Sequence, residues 1–197
     1  MADLPESLAA LIRSGREERN LEFKEQLDWD NKLQKEKFAR TILGMSNLRD
    51  GGAIIVGVAK DGTPVGMPEE EALRLNHDLL APFVNEYAEP YVRFTVTPGT
   101  LPEDSQKWFV VVTVEEFDEY PVICKKDGQV LKRGALYTRG RNKHETRGVR
   151  SVPEMKEMIE MAVEKGIRLL LARAGRAGLL SGRPTDAQLF ESQLGGL

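Results

Sequence analysis

A nearly uninterrupted apolar run, Ala53–Val58, lies between the glycine pair Gly51-Gly52 and an Asp61-Gly62 turn. A run of this length and composition favours a central β-strand. The segments around it alternate between helical and strand-like apolar spacing. The sequence therefore predicts an α/β (α+β) fold, in which a mixed sheet is flanked by helices and a further helix follows towards the C-terminus.

The other elements are predicted from apolar periodicity and from capping residues. Helices are expected from the Asp3 cap to Gly15, from Asn31 to Asn47, from Glu69 to Glu86 and from Ser151 to Ala174. Strands are expected over 20–26, 91–97, 108–114, 120–124, 129–132 and 135–139. In the strand 20–26, Leu21 and Phe23 face the core, so Glu22 and Lys24 point to the opposite face.

The chain of 197 residues predicts one main domain over residues 1–150. Residues 151–175 are expected to form a helix whose methionine-rich side is a candidate oligomer contact. Residues 176–197 are rich in glycine and predict a mobile tail.

Cellular location is predicted from three sequence features. Cys124 is the only cysteine, so no disulfide forms within the chain. The first residues lack the pattern of a signal peptide, and no apolar run approaches the roughly 18–20 residues needed to span a bilayer. We therefore expect a cytoplasmic protein with no membrane partner.

The net charge of −3 conceals an uneven distribution. Between Lys125 and Arg150, nine basic residues stand against two acidic ones, a local charge of +7. In this segment Tyr137 lies between arginines at strand spacing, an arrangement that suits single-stranded or irregular nucleic acid. A basic edge strand that only discourages aggregation is the alternative.

Two further motifs bear on chemistry. Glu22 and Lys24, on one face of a strand, could hold a divalent ion or a phosphate, or could simply form a surface ion pair. The glycine-containing segments match neither a phosphate-binding loop nor a dinucleotide fingerprint, so no small-molecule cofactor is predicted.

Taken in order, four fragments resemble the Schlafen AlbA_2 domain family. They are Glu17-x4-Glu22-Phe23-Lys24, the segment from Met45-Ser46-Asn47 to Val58, Asp61-Gly62-x3-Gly66, and Tyr137-Thr138-Arg139-Gly140. The resemblance covers about Glu17 to Arg150. It implies an α/β domain described as DNA-binding in many bacterial proteins, and paired into a two-lobed cleft for transfer RNA in animal Schlafen proteins.

In nucleases of that family, three carboxylates act with a divalent metal. The resemblance places Glu17 and Glu22 at the first two positions, as catalytic and metal-binding residues with Mg²⁺ or Mn²⁺. This sequence departs from the family at the third position, where Ala59 and Lys60 stand, and Asp61 is the candidate substitute.

Three functions follow from these observations. The first is a nucleic-acid-binding domain, for DNA or RNA, whose contacts to the phosphate backbone are Lys24, Lys132, Arg133, Tyr137, Arg139, Arg141 and Lys143. The second is a metal-dependent endoribonuclease that acts on transfer RNA or another structured RNA. The third is a protein-interaction or assembly module. Because animal relatives pair two lobes, we also predict a homodimer.

Overall fold

A computed structural model describes residues 3–141 and 144–177 of the protein. Within these residues the chain forms five helices and eight strands. In chain order they are α1 (Glu6–Ser14), β1 (Leu21–Lys24), α2 (Lys32–Ser46), β2 (Gly52–Val56), α3 (Glu69–Arg74), α4 (His77–Tyr87), β3 (Ala88–Glu89), β4 (Phe94–Leu101), β5 (Asp104–Val114), β6 (Ile123–Cys124), β7 (Tyr137–Arg139), β8 (Thr146–Gly148) and α5 (Val152–Arg176).

The main sheet has the strand order β1–β2–β5–β4. β1 and β2 run parallel, whereas β5 is antiparallel to both β2 and β4. β3 pairs with β6, and β7 with β8, in two short antiparallel ladders. This architecture confirms the predicted α/β fold with a mixed sheet, flanking helices and a C-terminal helix.

Both faces of β2 are covered, which explains why its sequence does not alternate. Ala53 and Ile55 belong to one apolar core, which includes residues of α1. Ile54 and Val56 belong to the other core, which includes residues of α2 and α4. The sheet therefore lies between α1 on one side and α2 and α4 on the other.

Capping residues set several helix ends as the sequence predicts. The side chain of Asn31 accepts a hydrogen bond from the Gln34 backbone N–H (3.2 Å) at the start of α2, and the Ser151 hydroxyl accepts one from the Glu154 N–H (3.4 Å) at the start of α5. Gly15 ends α1 with a left-handed φ of 61°.

Two helix predictions were wrong in detail. α1 begins at Glu6 after Pro5, and Asp3, the expected cap, instead forms a β-bridge with Thr100. The single helix expected over 69–86 is two helices, because the Asn76 side chain accepts from the Leu79 N–H (3.0 Å) and so begins α4 anew.

The strand predictions hold best where pairing is extensive. β4 and β5 form one long antiparallel hairpin, so both strands extend beyond the predicted limits of 91–97 and 108–114 on the side of the turn. No strand forms over 129–132, and the predicted strand 135–139 is confined to the three residues of β7.

Gly44 allows α2 to lie close against the β7–β8 pair. A Cβ atom at this position would lie 2.6 Å from Cγ2 of the buried Thr146. Side-chain atoms almost never approach so closely, so a larger residue would force the helix and the ladder apart. This contact brings β7 beside the edge strand β1, where the candidate site lies.

Five ion pairs and two buried methionines attach α5 to the rest of the domain. Met158 and Met161 are 1% exposed. The ion pairs are Arg19–Glu157 (2.7 Å), Arg141–Glu157 (3.2 Å), Arg147–Glu154 (2.6 Å), Arg49–Glu164 (2.9 Å) and Lys165–Glu116 (2.8 Å). α5 is thus packed along one side, and the predicted C-terminal helix is confirmed.

Other sequence expectations are tested only partly. Over residues 3–141 and 144–177, no helix has the length and apolar character that crossing a bilayer requires. Cytoplasmic location stays a prediction. Of the tail predicted over 176–197, residues 178–197 lie outside the described residues.

Candidate functional site

An open cleft of about 660 Å³ lies beside β1, on the side of the sheet that α2 covers. Its lining combines acidic and basic side chains with few apolar ones. The lining residues are Glu17, Glu22, Phe23, Lys24, Glu25, Lys37, Arg40, Thr41, Lys60, His144, Glu145 and Thr146.

The alternation of β1 decides which of its side chains reach this cleft. Leu21 and Phe23 are buried in the α1 core, so Glu22 and Lys24 point to the α2 side. Lys24 Nζ lies 2.6 Å from Glu22 Oε1, and the two side chains are only 21% and 15% exposed. The prediction that Glu22 and Lys24 share one face of β1 is therefore correct, but this face is largely covered rather than solvated.

Arg139 of β7 forms the second ion pair of Glu22. The Arg139 side chain is fully buried. Its Nε donates to the Arg19 carbonyl (2.7 Å), and Nη2 lies 3.4 Å from the carbonyls of Glu18 and Leu21. One guanidinium therefore neutralises Glu22 and satisfies backbone carbonyls along the free edge of β1.

The protonation of Glu22 follows from these neighbours. Burial alone would raise the pKa of its carboxyl, but the charges of Lys24 and Arg139 outweigh burial and hold the pKa below its usual value. The Thr41 hydroxyl lies 3.4 Å from both carboxylate oxygens. Glu22 is thus an ionised carboxylate already surrounded by donors.

Three cations of the cleft contrast with Lys24. Among the described residues, Lys37, Arg40 and Lys60 form no ion pair. Nε of Arg40 is buried and has no hydrogen-bond partner within the same part of the chain. These groups can accept an anion without breaking an existing ion pair.

The proposed carboxylate triad is only partly assembled. Glu17 and Glu22 line the same cleft, and Glu17 Oε1 accepts from the Phe23 N–H (2.9 Å). Asp61 does not line the cleft: it is exposed in a turn and accepts from the Thr63 N–H (2.9 Å), a bond that lowers its pKa.

A divalent ion fits this arrangement poorly. No group of three or more His, Cys, Asp or Glu side chains in the described ranges is placed to hold a metal ion. Mg²⁺ needs a near-octahedral set of oxygens, whereas the Glu22 oxygens face Lys24 and Arg139. The side chains suit a phosphate better than a metal.

The structure corrects the prediction that Tyr137 and Arg139 are surface contacts for nucleic acid. Arg139 and Tyr137 are interior residues, 0% and 5% exposed, so neither presents the surface we expected for phosphate or base contact. The Tyr137 hydroxyl accepts from the Lys132 N–H (2.8 Å), and its ring belongs to the apolar core. The family motif around Arg139 therefore has a structural role in this fold.

Three of the remaining predicted contacts, Lys132, Arg133 and Arg141, are exposed and do not line the cleft. Lys132 and Arg133 lie on the surface before β7, and neither is a lining residue. Arg141 is 63% exposed and pairs with Glu157 (3.2 Å). Lys143 lies outside the described residues.

Sequence reasoning missed Lys37, Arg40 and His144 as cleft residues. Lys37 and Arg40 are three residues apart on α2, and this spacing was a readable sign that they share a helix face. The sequence did not indicate that this face borders β1. His144 Nδ1 lies 3.0 Å from the Glu17 carbonyl, a contact between residues 127 positions apart.

Fold and site together define an α/β domain with a charged cleft at the edge of its sheet. The model of the family described as Schlafen, AlbA_2 matches residues 17–144, more than half of the chain. This protein therefore belongs to the Schlafen AlbA_2 family, as the sequence motifs predicted.

Comparison with solved structures adds a likeness of fold. The DIP2311 protein from Corynebacterium diphtheriae is 19% identical, with a TM-score of 0.51 over 77% of this chain. The match covers 27% of that protein, so this chain spans about a quarter of its length. No curated protein matches the sequence.

Proposed function

We propose that this domain binds nucleic acid through the phosphate backbone, with Lys24, Lys37, Arg40 and Lys60 as the contacts. The observation that carries the proposal is the set of cleft cations, Lys37, Arg40 and Lys60, that have no ion-pair partner among the described residues. Membership of the Schlafen AlbA_2 family supports a role connected with nucleic acid.

The ion pairs of Glu22 allow a phosphate to bind even though carboxylates line the cleft. Its charge is balanced by Lys24 and Arg139, so it repels a phosphate less than a free carboxylate would. Glu25 and Glu145 are exposed in the lining and limit the affinity. We therefore expect moderate binding with little base preference.

The size of the cleft favours single strands. A volume of about 660 Å³ falls in the range of pockets for ligands of drug size, roughly 300–1,000 Å³. We therefore expect a short stretch of single-stranded DNA or RNA, rather than a duplex, as the ligand of the cleft. Lys132 and Arg133 are available for additional contacts outside the cleft.

The test is a set of binding isotherms for labelled single-stranded DNA, single-stranded RNA and duplex DNA across a salt series. Lys37→Gln and Arg40→Gln should each weaken binding and lower the slope of log K against log salt by about 1. Lys32→Gln is the matched control, because Lys32 is exposed on the same helix but does not line the cleft.

Three results would overturn the proposal. Binding without salt dependence would remove the role of phosphate contacts, and equal losses in all three variants would remove the role of the cleft. Failure to bind any nucleic acid would favour the protein-interaction module instead.

The same samples test metal-dependent endoribonuclease activity. The observation that favours this second candidate is that Glu17 and Glu22 line one cleft. Transfer RNA is incubated with Mg²⁺ or Mn²⁺ and with a chelator. Glu17→Gln is the informative variant, because glutamine can still accept the Phe23 N–H, whereas Glu22→Gln also disturbs Arg139. Cleavage that requires metal and Glu17 would establish the nuclease.

A further inference from the structure

One side of α5 is attached to the domain, and the opposite side is apolar and exposed. The side chains of Ile159, Val163 and Ile167 are 53%, 54% and 51% exposed. Members of this set recur every three or four residues and so form one stripe. The exposed stripe consists of Val152, Met155, Ile159, Val163, Ile167, Leu170 and Leu171.

The stripe lies opposite the attached side of the helix. Met158 and Met161 mark the attached side, and both are buried. At 100° per residue, Val163 is rotated by about 140° from Met158, and Leu170 by about 120°. An apolar stripe that continues over five helical turns is uncommon on a free surface.

We propose that two copies of this chain pair along this stripe, with their α5 helices antiparallel. The inference is independent of nucleic-acid binding. It gives the predicted homodimer a contact surface and an orientation.

The spacing of the stripe is self-complementary in the antiparallel arrangement. With a two-fold axis at Val163, each Ile159 faces Ile167 of the other copy. The same register sets Met155 against Leu171 and Val152 against Ala174. Six of the seven stripe residues thus meet an apolar side chain, and Leu170 lies opposite Lys156.

Charge selects the antiparallel arrangement over the parallel one. All four glutamates of residues 152–164 already pair within the chain, so this half of the helix is close to neutral. Arg168, Arg173 and Arg176 of the other half form no ion pair among the described residues. A parallel pair would bring these arginines of both copies together, whereas an antiparallel pair sets them at opposite ends, beside the neutral half of the other copy.

The first experiment measures the mass of the full chain by sedimentation equilibrium over a series of micromolar concentrations. We expect a concentration-dependent shift from the 22.1 kDa monomer towards twice that mass. Val163→Glu should abolish the shift, because it places two carboxylates together at the two-fold axis. Leu73→Glu is the control, since Leu73 is 49% exposed on α3, outside the stripe.

Disulfide trapping then tests the orientation. Val163→Cys should cross-link to itself on oxidation. Ile159→Cys alone should not, because the two positions would be offset by eight residues, about 12 Å along the axis, beyond the roughly 7 Å that a disulfide spans. The double variant Ile159→Cys with Ile167→Cys should cross-link. The buried Cys124 gives a low background in the unmodified chain.

Several outcomes would overturn the proposal. A monomer at all concentrations would mean that the stripe is free or covered by other parts of the same chain. A dimer that survives Val163→Glu would place the contact elsewhere. Ready cross-linking of Ile159→Cys alone would indicate parallel helices. Circular dichroism of each variant confirms that it is folded.

Discussion

The guanidinium of Arg139 and the carboxylate of Glu22 form an ion pair in the interior, between β7 and the edge strand β1. The two residues are 117 positions apart, and the Arg139 side chain has no solvent exposure. Because both groups are charged and largely removed from water, each depends on the other for its stability. Glu22 belongs to the first of the four Schlafen AlbA_2 fragments of the sequence, and Arg139 belongs to the last.

We expect Arg139→Met to lower the free energy of unfolding by about 3–5 kcal/mol, because it leaves the carboxylate of Glu22 with one cation fewer and removes the guanidinium donor of the Arg19 carbonyl. Urea unfolding measures the effect. Arg141→Met is the control and should cost less than about 1 kcal/mol, since that guanidinium is 63% exposed. Equal effects of both substitutions would show that burial of the pair is unimportant.

We expect the free energy of unfolding to fall at acid pH, because Glu22 and Glu157 become protonated. The pKa of Glu157 is lowered by hydrogen bonds from Arg19 and then from Arg141, and that of Glu22 lies below its usual value despite burial. As the pH falls, the glutamates of the unfolded chain bind protons first, near their ordinary pKa of about 4.3. The stabilisation from both groups is therefore complete above that pH and is lost as pH falls through the folded-state values.

Glu22→Gln isolates one of these two contributions. The variant should be less stable than the original chain at neutral pH, and the difference should shrink as the pH is lowered below the ordinary glutamate value. Urea midpoints over a pH series measure it. A difference that stays constant with pH would show that the ionisation of Glu22 does not contribute.

Two glycines within helices should respond oppositely to alanine. Gly44→Ala is expected to destabilise the fold, because the new Cβ would lie 2.6 Å from Thr146 Cγ2 in the interior. Gly166→Ala should stabilise the fold by up to about 1 kcal/mol, since nothing lies within 4 Å of its added Cβ and alanine favours helix. Thermal unfolding of both variants checks the signs. Stabilisation by Gly44→Ala would mean that α2 can move away from β8 at little cost.

Local signals in the sequence were sufficient for most of the elements. The apolar run at Ala53–Val58 identified the central strand, and Asn31 and Ser151 identified two helix starts, because capping involves residues only three positions apart. The break at Asn76 was equally local, but the apolar spacing that continues across it concealed the cap.

The candidate site was predictable only in part. The alternation of β1 placed Glu22 and Lys24 together, and the family motifs added Glu17. Nothing local indicated that α2 would cover this face of β1, so Lys37 and Arg40, which form no ion pair within residues 3–141 and 144–177, were missed. The basic character of the segment 125–150 was real, but it did not show that Tyr137 and Arg139 are buried.

The sequence by itself determined the fold class, the family, the central strand and the face of β1 that bears Glu22. Only the tertiary structure decided that this face is covered, that Arg139 is its counter-ion and that α5 leaves an apolar stripe exposed. The physical reason is one of range. Periodicity specifies the two sides of an element, whereas the partner of each side is set by packing between residues far apart in the chain.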